Sequence, residues 1–332
     1  MSTEGAPSAG LPFCELHVHI EGTLEPATII ALAGSKRIAL PYADEAELAA
    51  AYDFDDLQSF LDLYYENMQV LRTEDDFFEL GAAYLRRAHA GGVVHAEMFV
   101  DPQAHSARGV PETVVLAGLH RAIRTIGAEN GITASIIVCV LRDQPVDDAH
   151  RMLDRVLDTG FAVAGIGLDS AEAGHPPSLF RAVFERARQA GLHTVAHAGE
   201  EGPPSYVWEA LDVLGVERVD HGNRALEDPA LVARLAADRV PLTMCPLSNV
   251  RLKGIPGIAH FPLRRALDAG LLVTVNSDDP AYFGGYLDDN LRALTEAFAL
   301  TASDLVSLSS NSIDASFLAE PERALLRRRL AS

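Results

Sequence analysis

Two histidines separated by one residue lie at the end of an apolar run near the amino terminus. The run begins near Leu11 and continues into FCELHVHIEG, which contains His17 and His19. In a β-strand, side chains at positions i and i+2 point to the same face, so the two imidazoles would be close enough to bind one metal ion. Because His-x-His pairs also occur without a metal, this pair alone leaves the chemistry open.

Three later apolar runs also end in residues that could bind a metal or move a proton. They are TVAHAGE with His197 and Glu200, ERVDHGNRA with His221, and VNSDDPAYF with Asp278 and Asp279. Imidazoles together with a carboxylate suit zinc or another divalent transition metal. We therefore predict one metal site formed by His17, His19, His197 and Asp278. Six other histidines are interpreted as surface or hydrogen-bonded side chains: His89, His105, His120, His150, His193 and His260.

The other polar residues at these strand ends are candidates for catalysis or substrate binding. Glu200 is expected to shuttle protons beside a metal-activated water, although it could instead be an acid at a helix amino terminus. His221 is either a fourth nitrogen ligand or a neighbour that stabilises charge on the attacked atom. If the last strand continues through Asp278 and Asp279, one carboxylate can bind metal while the other reaches the substrate. An Asx-turn is the alternative for Asp279.

Short apolar runs alternate with amphipathic segments along the whole chain. After the first strand, further strands are predicted at residues 93–100, 132–140, 161–169, 192–200, 217–222, from 240, and at 271–279. About eight strands, most followed by a helix, indicate a (β/α)8 TIM barrel, in which active residues lie at the carboxyl ends of the strands. A doubly wound open sheet is disfavoured, because no Gly-rich phosphate loop follows the first strand and because candidate active residues follow too many different strands.

The first connection is longer than in a minimal βα unit. Four helical segments are expected there, at residues 26–33, 45–51, 57–71 and 75–90. Such a helical insertion after the first strand could cap the mouth of the barrel. The remaining chain contains no interdomain linker, so residues 11–332 are predicted to form one domain after a flexible tail over residues 1–10.

Composition limits the possible partners and the compartment. Lys and Arg number 27 against 47 Asp and Glu, which gives a formal charge of −20 and argues against nucleic-acid binding. No run is long and apolar enough for a membrane span, and the first dozen residues do not resemble a signal peptide. Cys14, Cys139 and Cys245 lie in apolar runs and are expected to be buried thiols in a cytoplasmic protein. A small neutral substrate fits this acidity, while the oligomeric state cannot be inferred.

The chain resembles the adenosine/adenine deaminase family of metal-dependent barrels. The resemblance runs from about Leu11 to Asn311 and rests on ELHVHIEGTL, HAGEEGPPSYVWEAL, RVDHG, CPLSNV and VNSDDPAYFGGY. It implies hydrolytic deamination of a 6-aminopurine with one Zn²⁺ or another divalent metal and no organic cofactor. It also implies these roles: His17, His19, His197 and Asp278 as metal ligands, Glu200 as proton donor to ring N1, His221 as the group that orients or deprotonates the water, and Asp279 as the partner of ring N7.

Two departures from the pattern of adenosine deaminases favour the adenine deaminase branch. Those enzymes usually carry Asp where this chain has Glu21, and a longer carboxylate there is predicted to crowd out a ribose. The fourth strand ends in GLDSAEAGHPP, where the backbone of Ser170 is predicted to contact the purine edge near Glu172 and His175. The predicted reaction is adenine to hypoxanthine in purine salvage. Adenosine or an N6-substituted adenine is the alternative substrate, and Glu21 could instead pair with a nearby donor while the helix around residues 60–65 closes the pocket.

Two different classes of protein remain as alternatives. A two-metal phosphotriesterase or amidase on the same barrel often needs a modified Lys as a bridge, yet no Lys lies at these strand ends and Lys253 is in a predicted loop. A catalytically inactive purine-binding protein would be expected to lose a ligand or the proton donor, and here all of them are present.

Overall fold

The computed structural model describes residues 10–331 and contains one sheet of eight parallel strands in sequential order. The strands are β1 Phe13–His19, β2 Val93–Val100, β3 Thr133–Leu141, β4 Gly165–Asp169, β5 His193–Ala198, β6 Arg218–His221, β7 Pro241–Met244 and β8 Leu272–Val275. A parallel bridge between Val18 and Asp278 joins the last strand region to the first. The predicted (β/α)8 barrel is therefore confirmed.

Helices connect the strands and surround them. In the described residues they are α1 Pro26–Lys36, α2 Glu45–Ala50, α3 Leu57–Asn67, α4 Glu74–Ala90, α5 Pro102–Ser106, α6 Glu112–Asn130, α7 Val146–Asp158, α8 Arg181–Gln189, α9 Pro204–Glu209, α10 Pro229–Asp238, α11 Pro246–Arg251, α12 Leu263–Asp268, α13 Pro280–Phe283, α14 Leu287–Phe298, α15 Ala302–Ala315 and α16 Glu320–Leu330. A parallel sheet covered by helices is buried on both faces, which explains why all seven residues of β1 are buried.

The predicted helical insertion consists of α1 to α4, which we call the cap. Capping boxes begin α3 at Asp56 and α4 at Thr73, so both helix starts are specified locally. Phe60 of α3 packs against Phe283 with ring centroids 4.7 Å apart, and Phe54 lies 5.4 Å from Phe60. These aromatic contacts attach the cap to α13, the short helix that follows β8.

The last strand is shorter than the sequence predicts. β8 ends at Val275, and Asp278 has a left-handed backbone with φ of 65°. Asp279 precedes α13 without a side-chain capping hydrogen bond, so the Asx-turn alternative has no support. A turn, and not the alternation of a strand, therefore orients these two carboxylates.

The cysteines are buried and unpaired, as predicted. Residues 1–9 and 332 lie outside the described range, so the flexible tail over residues 1–10 stays a prediction, as does the single domain over residues 11–332. Within residues 10–331, the helices are too short or too polar to cross a membrane.

Candidate active site

The four predicted metal ligands converge where the strands end. His19 Nε2 lies 3.2 Å from His197 Nε2 and 3.5 Å from an Asp278 carboxylate oxygen, and His17 Nε2 lies 3.1 Å from that oxygen. All four side chains are buried. Burial lowers the pKa of His19 to about 4 and holds that of His197 well below its ordinary value. The two imidazoles are therefore neutral and can present a lone pair.

The partners of the opposite ring nitrogens show where those lone pairs point. His197 Nδ1 lies 3.1 Å from the Leu168 carbonyl, to which it can only donate. Thr243 donates its hydroxyl to Asp220 at 2.7 Å, so it accepts from His17 Nδ1 at 2.9 Å. In a neutral ring with this Nδ1–H bond, Nε2 is left unprotonated, and in both rings Nε2 faces the cluster. Buried lone pairs directed at one another repel unless a cation lies between them, so these residues fit a divalent metal.

His221 lies close to both the predicted ligands and the predicted acid. Ligand atoms of His17, His197, His221 and Asp278 all lie within 4.8 Å of one another. His221 Nε2 is 3.7 Å from Asp278 and 3.5 Å from the Glu200 carboxylate. Burial lowers the pKa of His221 to about 3, so this ring is also neutral. The geometry admits both a ligand role and a role toward the attacking water.

Glu200 follows β5 as a buried carboxyl and does not cap a helix. Its side chain is only 8% exposed, and α9 begins four residues later at Pro204. Burial raises the pKa of Glu200 well above its usual value, and the negative charges of Asp278 and Glu172 raise it further. Glu200 therefore retains a proton under conditions in which an exposed glutamate has lost it, as a general acid requires.

One carboxylate holds the whole segment that carries Glu200. The oxygens of Glu172 accept hydrogen bonds from the backbone N–H groups of Gly199, Glu200, Glu201 and Gly202, at 2.7, 3.0, 2.8 and 2.8 Å respectively. Gly202 is required for this approach, because a Cβ there would lie 2.6 Å from the Glu172 carboxyl carbon. The sequence places Glu172 near the purine, whereas the structure shows it binding backbone. Only the motif GLDSAEAGHPP hints at this residue, since its partners are 27–30 positions away.

Three non-glycine residues at the strand ends have left-handed backbones. The φ angles are 70° at Ser170, 60° at His221 and 65° at Asp278. Each such conformation costs an L-residue about 1–2 kcal/mol. Ser170, a predicted substrate contact, also accepts a hydrogen bond from the Tyr65 hydroxyl at 3.0 Å. Concentration of this strain where β4, β6 and β8 end is typical of functional sites.

A cavity lies between the cap and the strand ends. The cap and neighbouring loops contribute Leu57, Phe60, Leu61, Tyr64, Tyr65, Leu252 and Phe283, and the barrel contributes His19, Asp101, Asp169, Ser170, His197, Glu200, His221, Asp278 and Asp279. One wall is therefore apolar and aromatic, as a planar base requires, and the other is polar. The cavity includes the predicted residues Glu200, His221, Asp279 and Ser170.

Glu21 does not line this cavity, in contrast to its predicted place beside the substrate. Its Oε1 atom accepts the Asp101 N–H at 3.1 Å and lies 2.7 Å from His105 Nε2, while Oε2 has no partner among the described residues. Gly22 allows the chain to turn here, because a Cβ on it would lie 2.7 Å from the Cα of Asp279. The structure thus matches the alternative in which Glu21 pairs with a nearby donor and the cap closes the pocket.

Two acids in the cavity wall were missed by the sequence analysis. Asp101 follows β2 and Asp169 ends β4, and with His19 they form a second cluster whose ligand atoms lie within 4.8 Å. Burial raises the pKa of Asp101 well above its ordinary value and that of Asp169 to about 7. The Oδ1 atoms of Asp101, Asp169 and Asp279 are buried without a hydrogen-bond partner among the described residues. Buried polar atoms of this kind await a hydrogen-bond partner from outside the protein.

Comparison with known proteins assigns the family. A sequence model described as adenosine deaminase matches residues 12–332. The chain belongs to the adenosine deaminase family. An adenine deaminase of Streptomyces coelicolor is 58% identical over 317 residues, which are 96% of this chain and 93% of the relative.

Solved structures of this family agree with the fold. The crystal structure of an adenine deaminase from Arthrobacter aurescens is similar with a TM-score of 0.95 and 52% identity, and the match covers 97% of this chain and 98% of that one. A zinc-bound amidohydrolase from Burkholderia ambifaria has a TM-score of 0.91 and 29% identity, over 100% of this chain and 92% of that one. The barrel of this chain is therefore the fold found in these two solved structures.

Proposed function

We propose that this protein hydrolyses adenine to hypoxanthine and ammonia and serves purine salvage in the cytoplasm. The observation that carries the proposal is the 58% identity to an adenine deaminase over nearly the whole length of both chains. The cavity supports it, because aromatic side chains face a wall of buried acids and neutral imidazoles. A free base is small and planar, and its ring nitrogens and N–H groups match such a wall.

His17, His19, His197 and Asp278 are the proposed ligands of one metal ion per chain. The inward Nε2 lone pairs support this assignment, and the zinc in the Burkholderia amidohydrolase supports zinc as the metal. When bound, such an ion lowers the pKa of a water from 15.7 to about 7 and so supplies a nucleophile near neutral pH.

The proposed roles of the other residues follow from their protonation and position. Glu200 delivers its proton to ring N1, which makes carbon 6 electrophilic as water attacks. His221, whose ring is neutral, orients the water and accepts its proton through Nε2. The oxygen–carbon bond forms, His221 passes the proton that it took from the water to the amino group, and the carbon–nitrogen bond breaks as ammonia leaves. The new hydroxyl gives its proton to the Glu200 carboxylate, so the 6-oxo base remains and Glu200 is protonated again. Asp279 pairs with ring N7, and Ser170 contacts the opposite edge through its backbone.

Formation of the 6-oxo product from a small set of substrates tests the proposal, with ammonia released from adenine and adenosine and methylamine released from N6-methyladenine. The purified, zinc-loaded protein should deaminate adenine with a higher kcat/KM than adenosine and N6-methyladenine. Preference for adenosine would contradict the adenine assignment, and preference for N6-methyladenine would move it to substituted bases. Binding of adenine without turnover by the zinc-loaded protein would instead identify an inactive purine-binding protein on this scaffold.

A further inference from the structure

The unpartnered oxygen of Asp101, like that of Asp169, is a feature of the cavity that the proposed reaction does not use. Asp101 is 1% exposed, and its Oδ1 atom has no hydrogen-bond partner among residues 10–331. A buried acceptor left unpaired costs about 1–3 kcal/mol, so it is expected to be paired when the ligand is bound. The carboxyl group lines the cavity, and a donor on a bound ligand can therefore reach it.

The backbone of Asp101 is held firmly at that place. Its N–H donates to Glu21 at 3.1 Å, and Glu21 is in turn bonded to the buried ring of His105 at 2.7 Å. Two side chains with no role in the reaction thus fix the residue after β2. Such support is typical of a group whose position matters to a ligand.

The acids of the cavity have different histidine neighbours. Asp101 and Asp169 cluster with His19, whereas Glu200 lies beside His221. The amino group of the substrate must lie near Glu200 and His221, where carbon 6 reacts. A free 6-aminopurine carries only one other donor, the imidazole N–H, and a purine substituted at N9 has lost it.

We propose that Asp101 accepts the imidazole N–H of the substrate and thereby selects the free base over purines substituted at N9. This inference rests on the proposed function and identifies how its substrate class is recognised. A site built to hydrogen-bond a substrate N–H rejects analogues without it by about 10⁴–10⁵-fold, because a buried polar group is then left unpaired. Glu21 contributes as a positioning residue for Asp101, not as a filler of the sugar volume.

Deamination of adenine and of 9-methyladenine at carbon 6 tests the proposal directly. In the wild-type protein, kcat/KM for adenine should exceed that for 9-methyladenine by about 10⁴-fold. Asp101→Asn keeps the volume but replaces one carboxyl oxygen by an amide NH₂, which cannot accept the imidazole N–H, and should lower kcat/KM for adenine about tenfold without affecting 9-methyladenine. Asp101→Ala should lower the value for adenine about 100-fold and allow more turnover of 9-methyladenine. Asp143→Asn, an exposed acid two residues beyond β3, is the matched control and should leave the ratio unchanged.

The outcomes distinguish a hydrogen bond between Asp101 and the substrate from exclusion of the methyl group by volume and from binding of a second metal ion. If Asp101→Asn leaves adenine turnover unchanged, the methyl group is excluded by volume alone and the proposal is wrong. Because Asp101, Asp169 and His19 could instead bind a second cation, metal content is measured in each variant. Two metal ions per wild-type chain and one in Asp101→Ala would also overturn it. Zinc content and melting temperature near wild type in Asp101→Asn show that the fold is retained.

Calorimetry with the two products distinguishes failure of this inference from failure of the proposed function. Hypoxanthine should bind at least about 100-fold more tightly than 9-methylhypoxanthine, and Asp101→Ala should remove most of that difference. If adenine is not deaminated but this difference is found, the proposed reaction is wrong and the role of Asp101 stands. If adenine is deaminated and both products bind equally, the reaction stands and the role of Asp101 is wrong.

Discussion

Two carboxylates four residues apart, one inside β2 and one just after it, differ in how their oxygens are paired. Glu97, inside β2, accepts Arg218 on one oxygen and the Phe317 N–H on the other, each at 2.6 Å. Asp101, just after β2, keeps an oxygen without a partner at the cavity. Both groups are buried. The barrel interior neutralises its charge within the fold, whereas the mouth leaves polar groups for a ligand.

The same contrast separates the backbones of the two regions. Residues with left-handed φ angles occur at the mouth in Ser170, His221 and Asp278, together with unpartnered carboxylate oxygens. Each of these features destabilises the folded chain by about 1–3 kcal/mol. The interior pair of Glu97 and Arg218 has no left-handed backbone, and both Glu97 oxygens are paired, although Arg218 Nε has no hydrogen-bond partner among the described residues. The mouth is therefore organised for function at the expense of stability, and mutations in the two regions should separate activity from stability.

The largest effect is expected at the proposed metal site. His197→Ala should remove the bound metal and reduce turnover of adenine below detection, because one of the inward lone pairs is lost. Dialysis of the wild-type protein against a chelator should have the same effect, and zinc should restore activity. His193→Ala, at the other end of β5 and 42% exposed, is the control and should keep both metal and turnover. A His197→Ala protein with full metal and full activity would contradict the site.

The second largest effect is expected at Glu200, the proposed general acid at the mouth of the barrel. Glu200→Gln keeps the size of the side chain but cannot donate the same proton, so kcat should fall by about 10²–10⁴-fold while metal and substrate binding are retained. Glu201→Gln, an exposed neighbour, is the matched control and should behave as wild type. Rates from single-turnover experiments are the measurement. Near-normal turnover in Glu200→Gln would exclude Glu200 from proton transfer.

A substitution in the barrel interior should have the opposite effect to one at the mouth, because it should lower stability and leave kcat unchanged. Glu97→Gln removes the nearer carboxylate partner of the buried Arg218 and leaves Asp220 at 3.7 Å, so it should lower the free energy of unfolding by about 3 kcal/mol, with kcat unchanged for the folded protein. Glu129→Gln removes a partner of Arg86 at an exposed pair and should cost less than about 1 kcal/mol. Urea unfolding of the zinc-loaded proteins measures both. A loss of kcat in a stable Glu97→Gln protein would show that the interior also serves catalysis.

The pH dependence of stability should also show the contribution of the interior ion pair between Glu97 and Arg218. Burial alone would raise the pKa of Glu97, but the Arg218 guanidinium outweighs it and lowers the pKa to about 2. The unfolded chain has an ordinary pKa of about 4.3, so the contribution of Glu97 is complete above that pH and is lost as pH falls toward 2. The wild-type free energy of unfolding should therefore decrease more steeply than that of Glu97→Gln between about pH 4 and pH 2.

The barrel could be predicted from sequence because its signals are local. Apolar runs bounded by helical segments give the strand order, and β2 was predicted at its observed bounds, 93–100. The ends of strands were less predictable, because β8 stops at Val275 when Asp278 turns into a left-handed conformation. Periodicity does not report such turns, since they depend on contacts with β1.

Part of the cavity wall could not be predicted because it depends on contacts between distant residues. Glu21 is read as a substrate contact from its position after the histidines, yet its partners are the Asp101 N–H and His105, 80 and 84 residues away. Asp101 carries no motif that separates it from any acid after a strand. Metal-type residues are easier to find, because His and Asp at four strand ends are an uncommon combination.

The smallest effect is expected at Glu172, which lies at the mouth but resembles Glu97 in having its oxygens occupied. In Glu172→Gln, an amide NH₂ replaces one accepting oxygen and faces backbone N–H groups, so the segment carrying Glu200 loses hydrogen bonds. We expect a loss of about 1–3 kcal/mol in the free energy of unfolding and about a tenfold fall in kcat, with KM nearly unchanged. Glu185→Gln, an exposed acid on α8, is the control.

The two measurements on Glu172 decide to which region it belongs. Glu172→Asp keeps the charge on a shorter side chain and should restore part of kcat, since some of the four amides still find an acceptor. If Glu172→Gln loses stability but keeps its kcat, Glu172 stabilises the fold as Glu97 does. If kcat falls while metal content stays at the wild-type level, Glu172 positions the acid at Glu200. The functional mouth would then not begin at the ends of the strands. It would begin farther out, at the carboxylate oxygens on the outer side of the cavity, and the stabilising interior would extend up to them.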